Sequence, residues 1–171
     1  MKLTLRYYGD SVLREVASPV EDFDEGLREL AEAMMEIMVT ENGIGLAAPQ
    51  VGVGKRLIVA RRMRGLDDFD APPMALVNPE IVGVSKETWT YEEGCLSLPG
   101  ISAPIVRPQS VEVRYQDLDG QIHTVSDSSL FGRILLHEID HLDGRLCIDY
   151  ISSAQKSLIK SQLKNIKQQR T

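Results

Sequence analysis

The sequence predicts an α+β fold in which antiparallel or mixed sheets pack around a central helix, with a further helix toward each end of the chain. Apolar residues recur at helical spacing in three segments, and short apolar or alternating runs fill the middle of the chain. These strands follow one another instead of alternating with helices, which favours α+β over parallel βαβ units. With 171 residues, 43% of them hydrophobic and 26% charged, we expect one domain over residues 1–171.

Helix caps and turn residues predict the bounds of each element. The helices are expected over Asp24 to Asn42, from Ser126 or Asp127 to Gly144, and from Ser152 or Ser153 onward, the last with Leu158, Ile159, Leu163 and Ile166 on its apolar side. The strands are expected at Arg56–Ala60, Met74–Val77, Ile81–Val84, Thr88–Tyr91, Val111–Tyr115 and Ile122–Val125, the last two as a hairpin. Residues 43–54 and 61–73 are expected to be loops.

Composition excludes several classes of protein. No apolar stretch approaches the roughly 18 to 20 residues of a membrane span, and the N-terminus has no signal-peptide pattern, so we expect a cytoplasmic protein without a membrane anchor. The net charge of −6 argues against specific DNA binding. The segment from Tyr150 onward is basic, with Lys156, Lys160, Lys164, Lys167 and Arg170 and no acidic residue. It indicates either a solvated helix face or a docking surface for an anionic partner.

The strongest functional signal is His137–His141, which reads HEIDH. On a helix, residues four apart share one face, so both imidazoles can bind one metal ion while Glu138 acts as general base on a metal-bound water. Leu130 and Ile134 continue the same stripe, which places the histidines on the face expected to point at the core. Two buried imidazoles beside a carboxylate are costly unless they share a partner, so the pattern favours a metal site over structural histidines.

The third ligand is open between two cysteines, because catalytic sites of this kind usually take three protein ligands. Cys147 stands where the metzincin proteases carry their third histidine, and it is equally typical of a small buried hydrophobe. Cys95 follows a glycine and precedes a Ser-Leu-Pro-Gly turn, where a backbone can approach a ligand closely. Local context favours Cys95. His123 lies among polar residues of the predicted hairpin, and we expect it at the surface.

Three separated segments together resemble the motifs of the peptide deformylases. They read GIGLAAPQ at 43–50, EGCLS at 93–97 and HEIDH at 137–141, in the family's order and across essentially the whole chain. The segment after Ser152 resembles the iron-dependent members that end in a helix instead of a strand. The first segment also fits a dinucleotide-binding fingerprint. That fingerprint needs a preceding strand and a following helix, whereas here a helix is predicted before it and Pro49 follows.

The resemblance implies hydrolytic removal of the formyl group from the N-terminal formyl-methionine of newly synthesised proteins, with release of formate. It implies one metal ion per chain, usually Fe2+, with Zn2+, Ni2+ or Co2+ as substitutes. The implied ligands are Cys95, His137 and His141. A metal-bound water is then the nucleophile, with Glu138 as general base and acid. The side-chain amide of Gln50 and the main-chain N–H of Leu96 are the implied donors to the developing oxyanion.

The family also implies where the substrate lies. Ile44 and Gly45, with Gly94 opposite, hold the peptide by main-chain hydrogen bonds as an added strand. The candidates for an apolar methionine pocket are Ile44, Leu130 and Ile134, each of which also suits ordinary core packing. Ser102 and Leu136 depart from the family pattern, which often has arginine and glutamine at those positions.

The implied partners are N-formylmethionyl nascent peptides, and the basic C-terminal helix suggests docking at the ribosome. The competing hypothesis is a small metalloprotease that uses Cys147 as third ligand. A metal-binding module without catalytic activity is a third hypothesis.

Overall fold

The computed structural model describes residues 1–170 and confirms the α+β class. The helices and strands, in chain order, are α1 (Glu25–Thr40), β1 (Gly45–Ala47), β2 (Leu57–Arg61), β3 (Pro73–Val84), β4 (Thr88–Gly94), β5 (Ser102–Pro108), β6 (Val111–Gln116), β7 (Ile122–Asp127), α2 (Leu130–Leu142) and α3 (Ser153–Arg170). One sheet has the strand order β1-β2-β3-β6-β7, and β4 pairs with β5 in a second sheet. Every pairing within these sheets is antiparallel.

Helix α2 forms the centre of the molecule, because all thirteen of its residues are buried. It packs against β1 and β2, and all its large apolar side chains, from Leu130 to Leu142, belong to one core cluster. A helix buried on all sides is usually hydrophobic on all sides. This one also carries five buried polar or charged side chains, so they must satisfy one another or share a ligand. They are Arg133, His137, Glu138, Asp140 and His141.

The starts of the helices follow the expected caps, with one difference. Asp24 accepts from the Leu27 N–H at 3.0 Å and caps α1, as predicted. Helix α2 begins at Leu130, three residues later than a cap at Ser126 predicts and two later than a cap at Asp127 predicts, because β7 continues through Asp127. The Asp127 carboxylate nevertheless accepts from the Gly132 N–H at 2.8 Å, so it satisfies a free donor in the first turn.

Helix α3 begins at Ser153, where one of the two alternatives placed it. The Ser152 hydroxyl accepts from the Gln155 N–H at 3.2 Å, and the Gln155 amide oxygen accepts from the Ser152 N–H at 3.1 Å. Ile166 is buried in a core cluster, but Leu158 is 81% exposed, so its expected place on the apolar side is wrong. Within residues 1–170, no helix is long and apolar enough to cross a membrane.

Three stretches of strand differ from the sequence prediction. The two strands expected at 74–77 and 81–84 are one strand, β3. Its pairing register with β6 shifts near Asn78, a residue in the left-handed conformation with φ of 50°. The expected loop at 43–54 contains β1, which pairs with β2 along the sheet edge. Strand β5 is missed by the prediction altogether. Its two prolines and its inward-facing Arg107 hide an otherwise regular alternation of buried and exposed residues.

Candidate metal centre

Helix α2 presents His137 and His141 one turn apart on the same face. Their ring centroids lie 5.0 Å apart, and their Nε2 atoms are 3.3 Å apart. Burial and the neighbouring ring lower the pKa of His141 well below its ordinary value, so its imidazole is neutral at physiological pH. A neutral imidazole is the form that binds a metal ion.

Cys95 follows directly after β4 and brings its thiol to this histidine pair. Its Sγ atom lies 3.4 Å from His141 Nε2, and the donor atoms of Cys95, His137 and His141 all lie within 4.8 Å of one another. Two imidazole nitrogens and a sulfur are a donor set that suits Fe2+, Zn2+, Ni2+ or Co2+. The three residues implied by the resemblance are therefore brought together, and their chemistry fits a divalent transition metal.

The other cysteine, Cys147, lies in a short helical turn, Cys147–Tyr150, that follows α2. Cys147 is 4% exposed and groups with Glu93 and His137, without His141. Burial raises the pKa of the Cys147 thiol to about 11, so it is protonated near neutral pH. A protonated thiol is a poor ligand, and the expected core position of Cys147 is confirmed. His123 is exposed, as predicted, and lies 2.7 Å from the Asp117 carboxylate.

Glu138 lies between the histidines and is 4% exposed. Its Oε1 atom is buried and has no hydrogen-bond partner among the described residues. Burial is the largest cause that raises the pKa of Glu138, to about 7. A carboxyl group with a pKa near neutrality can both accept and return a proton. Gly45 makes room for it, because a Cβ atom there would lie 2.6 Å from Glu138 Oε2.

Glu93, the residue two before Cys95, orients one of the histidines. Its Oε1 atom lies 2.8 Å from His137 Nδ1, so Nδ1 is engaged with this carboxylate and Nε2 is the ring nitrogen on the side of His141. Arg107 on β5 binds the same carboxylate through Nε at 2.7 Å and Nη2 at 3.0 Å. Burial opposes ionisation of Glu93, but the hydrogen bonds with His137 and Arg107 outweigh it and lower its pKa to about 2.

Two further side chains on α2 complete this buried network. Arg133 Nη1 donates to Glu93 Oε2 at 2.6 Å, and its guanidinium carbon lies 5.2 Å from the Trp89 ring centroid. Asp140 accepts from Arg107 Nη1 and from the Tyr150 hydroxyl, each at 2.8 Å. Two guanidinium groups and two carboxylates thus offset one another inside the protein, next to His137.

This network of Glu93, Arg107, Arg133 and Asp140 is not among the residues predicted from the sequence. A signal was present on α2, because Arg133, His137 and Asp140 are spaced four and three apart, on the same stripe as a ligand. On β5 the signal was the alternation that places Arg107 on the same face as Ala103 and Ile105.

Gln50 lies beside the thiol of Cys95. Its amide oxygen accepts from the Ala47 N–H at 2.9 Å, which leaves the amide nitrogen to point at the site. That nitrogen lies 3.3 Å from Cys95 Sγ and donates to the Ser97 hydroxyl at 3.1 Å. The side chain is 1% exposed, so these contacts fix its orientation. Gln50 therefore presents a fixed donor next to the three candidate ligands.

A cavity of about 830 Å³ opens onto the site. It is lined by every residue that the sequence analysis assigned to the substrate or to the oxyanion, namely Ile44, Gly45, Gln50, Gly94, Leu96, Leu130 and Ile134. Leu130 and Ile134 are also members of the main core cluster. Ser102 lines the cavity as an exposed residue and donates to Glu92 at 3.2 Å, whereas Leu136 is buried in the core.

Comparison with known proteins identifies relatives across the length of the chain. The sequence model of the polypeptide deformylase family matches residues 2–157. The peptide deformylase of Bartonella tribocorum is 44% identical over 150 residues, which are 88% of this chain and 84% of that one. The peptide deformylase of Picosynechococcus is 42% identical over 165 residues, covering 95% of this chain and 84% of its own.

Solved structures agree with the sequence comparisons. A plant peptide deformylase superimposes with a TM-score of 0.90 at 37% identity, covering 98% of this chain and 90% of its own. The peptide deformylase of Thermotoga maritima gives a TM-score of 0.82 at 41% identity, covering 89% of this chain and 99% of its own.

Proposed function

This chain belongs to the peptide deformylase family, enzymes that remove the formyl group from an N-terminal methionine, and we propose that it does so by metal-dependent hydrolysis at the centre on α2. The observation that carries the proposal is the convergence of Cys95, His137 and His141, whose donor atoms lie within 4.8 Å of one another beside the buried Glu138. Family members are metal-dependent. Here Fe2+ is proposed as the resident ion, one per chain, with Zn2+, Ni2+ or Co2+ as substitutes.

The three proposed ligands come from two elements of the structure, β4 and α2. Cys95 would supply its sulfur from the end of β4, and His137 and His141 would supply Nε2 atoms from one helix face. Glu93 holds His137 in the tautomer that a ligand needs. When bound, a divalent ion lowers the pKa of water and polarises the formyl carbonyl group.

Glu138 is the proposed general base and acid. It accepts a proton as the oxygen of water attacks the formyl carbon, and it delivers that proton to the amine as the C–N bond breaks. Formate and a free N-terminal methionine result. A carboxyl group whose pKa lies near 7 suits both transfers at neutral pH, because neither protonation state is strongly favoured.

The negative charge that develops on the formyl oxygen needs donors. We assign this role to the amide nitrogen of Gln50, which the Ala47 N–H holds in orientation, and to the main-chain N–H of Leu96. The loss of one such donor typically costs about 3 kcal/mol of transition-state stabilisation. The substrate would take the place of the Ser97 hydroxyl as a partner of Gln50.

The peptide chain of the substrate is proposed to add to the free edge of β1. Strand β1 lies at the end of its sheet, so Ile44 and Gly45 can offer main-chain groups to an extended peptide, with Gly94 on the other side of the cavity. Main-chain hydrogen bonds do not depend on the substrate's side chains, which suits an enzyme that acts on many N-termini. Ile44, Leu130 and Ile134 form the proposed methionine pocket.

The experiment that tests this function is formate release from formyl-methionyl peptides by the protein loaded in parallel with iron, nickel or zinc. The proposal expects formate in at least the iron form and no cleavage of internal peptide bonds. Cleavage of internal bonds without formate would favour the metalloprotease hypothesis with Cys147. A protein that binds metal and cleaves neither would be a binding module.

The basic side of α3 is the proposed ribosome-docking surface. Such docking would suit an enzyme whose proposed substrates are nascent chains in the cytoplasm. Lys156, Lys160, Lys164 and Lys167 line a groove of about 520 Å³ with Tyr8. Four positive charges along one helix attract a surface rich in RNA phosphate. A variant with all four lysines changed to glutamate should lose ribosome binding while keeping formate release from short peptides. Unchanged binding contradicts this proposal.

A further inference from the structure

Arg61 is a buried cation outside the metal centre. It is the last residue of β2 and is 7% exposed. Its Nε atom donates to the Gly43 carbonyl oxygen and its Nη1 atom to the Ala71 carbonyl oxygen, both at 3.2 Å. Its guanidinium carbon lies 4.9 Å from the centroid of the Phe69 ring. One side chain therefore joins the segment before β1 to the loop between β2 and β3.

These contacts are unusual for a buried charge, because each of the three partners is uncharged. Burying a cation is costly, and proteins usually offset that cost with a carboxylate. Arg107 and Arg133 follow that rule through Glu93. Arg61 instead binds two main-chain carbonyl groups and an aromatic face, a set that fixes backbone positions and one ring. This arrangement indicates that the role of Arg61 is to hold the Gly43 and Ala71 carbonyl groups and the Phe69 ring in place.

Both segments that Arg61 joins line the same cavity. Gly43 and Ile44 contribute one side, and the main-chain N–H of Arg61 also donates to the Ile44 carbonyl oxygen at 2.9 Å. The loop over residues 62–72 contributes Leu66 and Phe69. Leu66 is 67% exposed, an apolar side chain that lies at the cavity rim with little cover of its own. A bound apolar side chain would cover it.

We propose that Arg61 is a positioning residue that sets the enzyme's selectivity for the side chain entering the cavity. It holds the Phe69 ring and the Gly43 carbonyl group at fixed positions, so that Leu66 and Phe69 form an apolar wall of the cavity that Ile44 also lines. This inference rests on the proposed deformylase function and deepens it. Arg61 contacts neither the candidate ligands nor Glu138, so its effect is on substrate binding and selectivity instead of on the chemical step.

Two matched formyl peptides test the proposal, one beginning with formyl-methionine and one with formyl-alanine. In Arg61→Met, the KM for the formyl-methionyl peptide should rise about tenfold while kcat changes by less than about twofold, as expected when binding is lost uniformly. The preference for methionine over alanine should fall in parallel. Arg61→Lys keeps the charge and one donor, so it should recover part of that preference. Arg64→Met is the control, since Arg64 is an exposed residue of the same loop.

Unchanged preference in a folded Arg61→Met protein overturns the proposal, as does an equal loss of kcat on both peptides. Phe69→Ala provides an independent variant if Arg61→Met does not fold, because Phe69 is only partly buried on a loop. It should lower the methionine preference in the same way, and a folded Phe69→Ala protein with the parent's preference refutes the wall. If the parent releases no formate from either peptide, the deformylase function itself fails, which is a separate result.

Discussion

Replacing Glu93 by glutamine should both destabilise the protein and weaken metal binding. The carboxylate lies within hydrogen-bond distance of His137, Arg107 and Arg133, and it is 5% exposed. Glutamine keeps the size but removes the charge and turns an NH2 group toward donors. Arg107 then keeps Asp140 as its ion-pair partner, while Arg133 loses the carboxylate it pairs with. Breaking a buried ion pair from one side typically costs about 3–5 kcal/mol.

For a chain of this length, each kcal/mol shifts Tm by about 2–4 °C, so Glu93→Gln should lower Tm by roughly 6–20 °C. Metal affinity should fall about 10- to 100-fold, the usual effect of removing a carboxylate that orients a ligand histidine. Calorimetry measures the first effect, and competition with a chelator of known affinity measures the second. Glu92→Gln is the matched control, because Glu92 is exposed and its carboxylate accepts a hydrogen bond from the Ser102 hydroxyl, outside the buried network. A Glu93→Gln protein indistinguishable from that control refutes the reasoning.

Three further predictions concern the base, the close contact at β1 and an ion pair on the surface. Glu138→Ala should retain metal while formate release falls about 10²- to 10⁴-fold, the range for a general base, and metal analysis beside the assay checks both. Gly45→Ala should cost about 1–3 kcal/mol in urea unfolding, because its Cβ would lie 2.6 Å from Glu138 Oε2 and 2.8 Å from Ile134 Cγ2. Burial opposes ionisation of Asp149, but hydrogen bonds from Arg14 and the Leu146 N–H outweigh it and lower its pKa. A lowered carboxyl pKa stabilises the fold above about pH 4, and the effect is lost as pH falls through the folded-state pKa. The stability difference between the parent and Asp149→Asn should therefore shrink from about pH 6 to about pH 3, and an equal difference at both would contradict this assignment.

The sequence predicts what depends on local periodicity and short motifs. The three helices, the cap at Asp24 and the hairpin of β6 and β7 follow from caps, turn residues and alternation, and the structure confirms them. The donor residues of the candidate centre were also found, because HEIDH and EGCLS lie in continuous segments.

What the sequence does not predict depends on contacts between distant segments. Strand β5 forms because Ser102–Pro108 pairs with β4, despite the two prolines that make it a poor strand on its own. The roles of Arg107 and Arg61 follow from partners many residues away, Glu93 and the carbonyl group of Gly43. Tertiary pairing overrides local preference in each case.

The proposed metal centre is tested most sharply by the metal content and formate release of Cys95→Ser and Cys147→Ser. We expect Cys95→Ser to lose both, because Cys95 is the proposed third ligand beside His137 and His141. We expect Cys147→Ser to keep both, because that thiol is buried and protonated. If Cys95→Ser retains metal and Cys147→Ser loses it, Cys95 is not the third ligand.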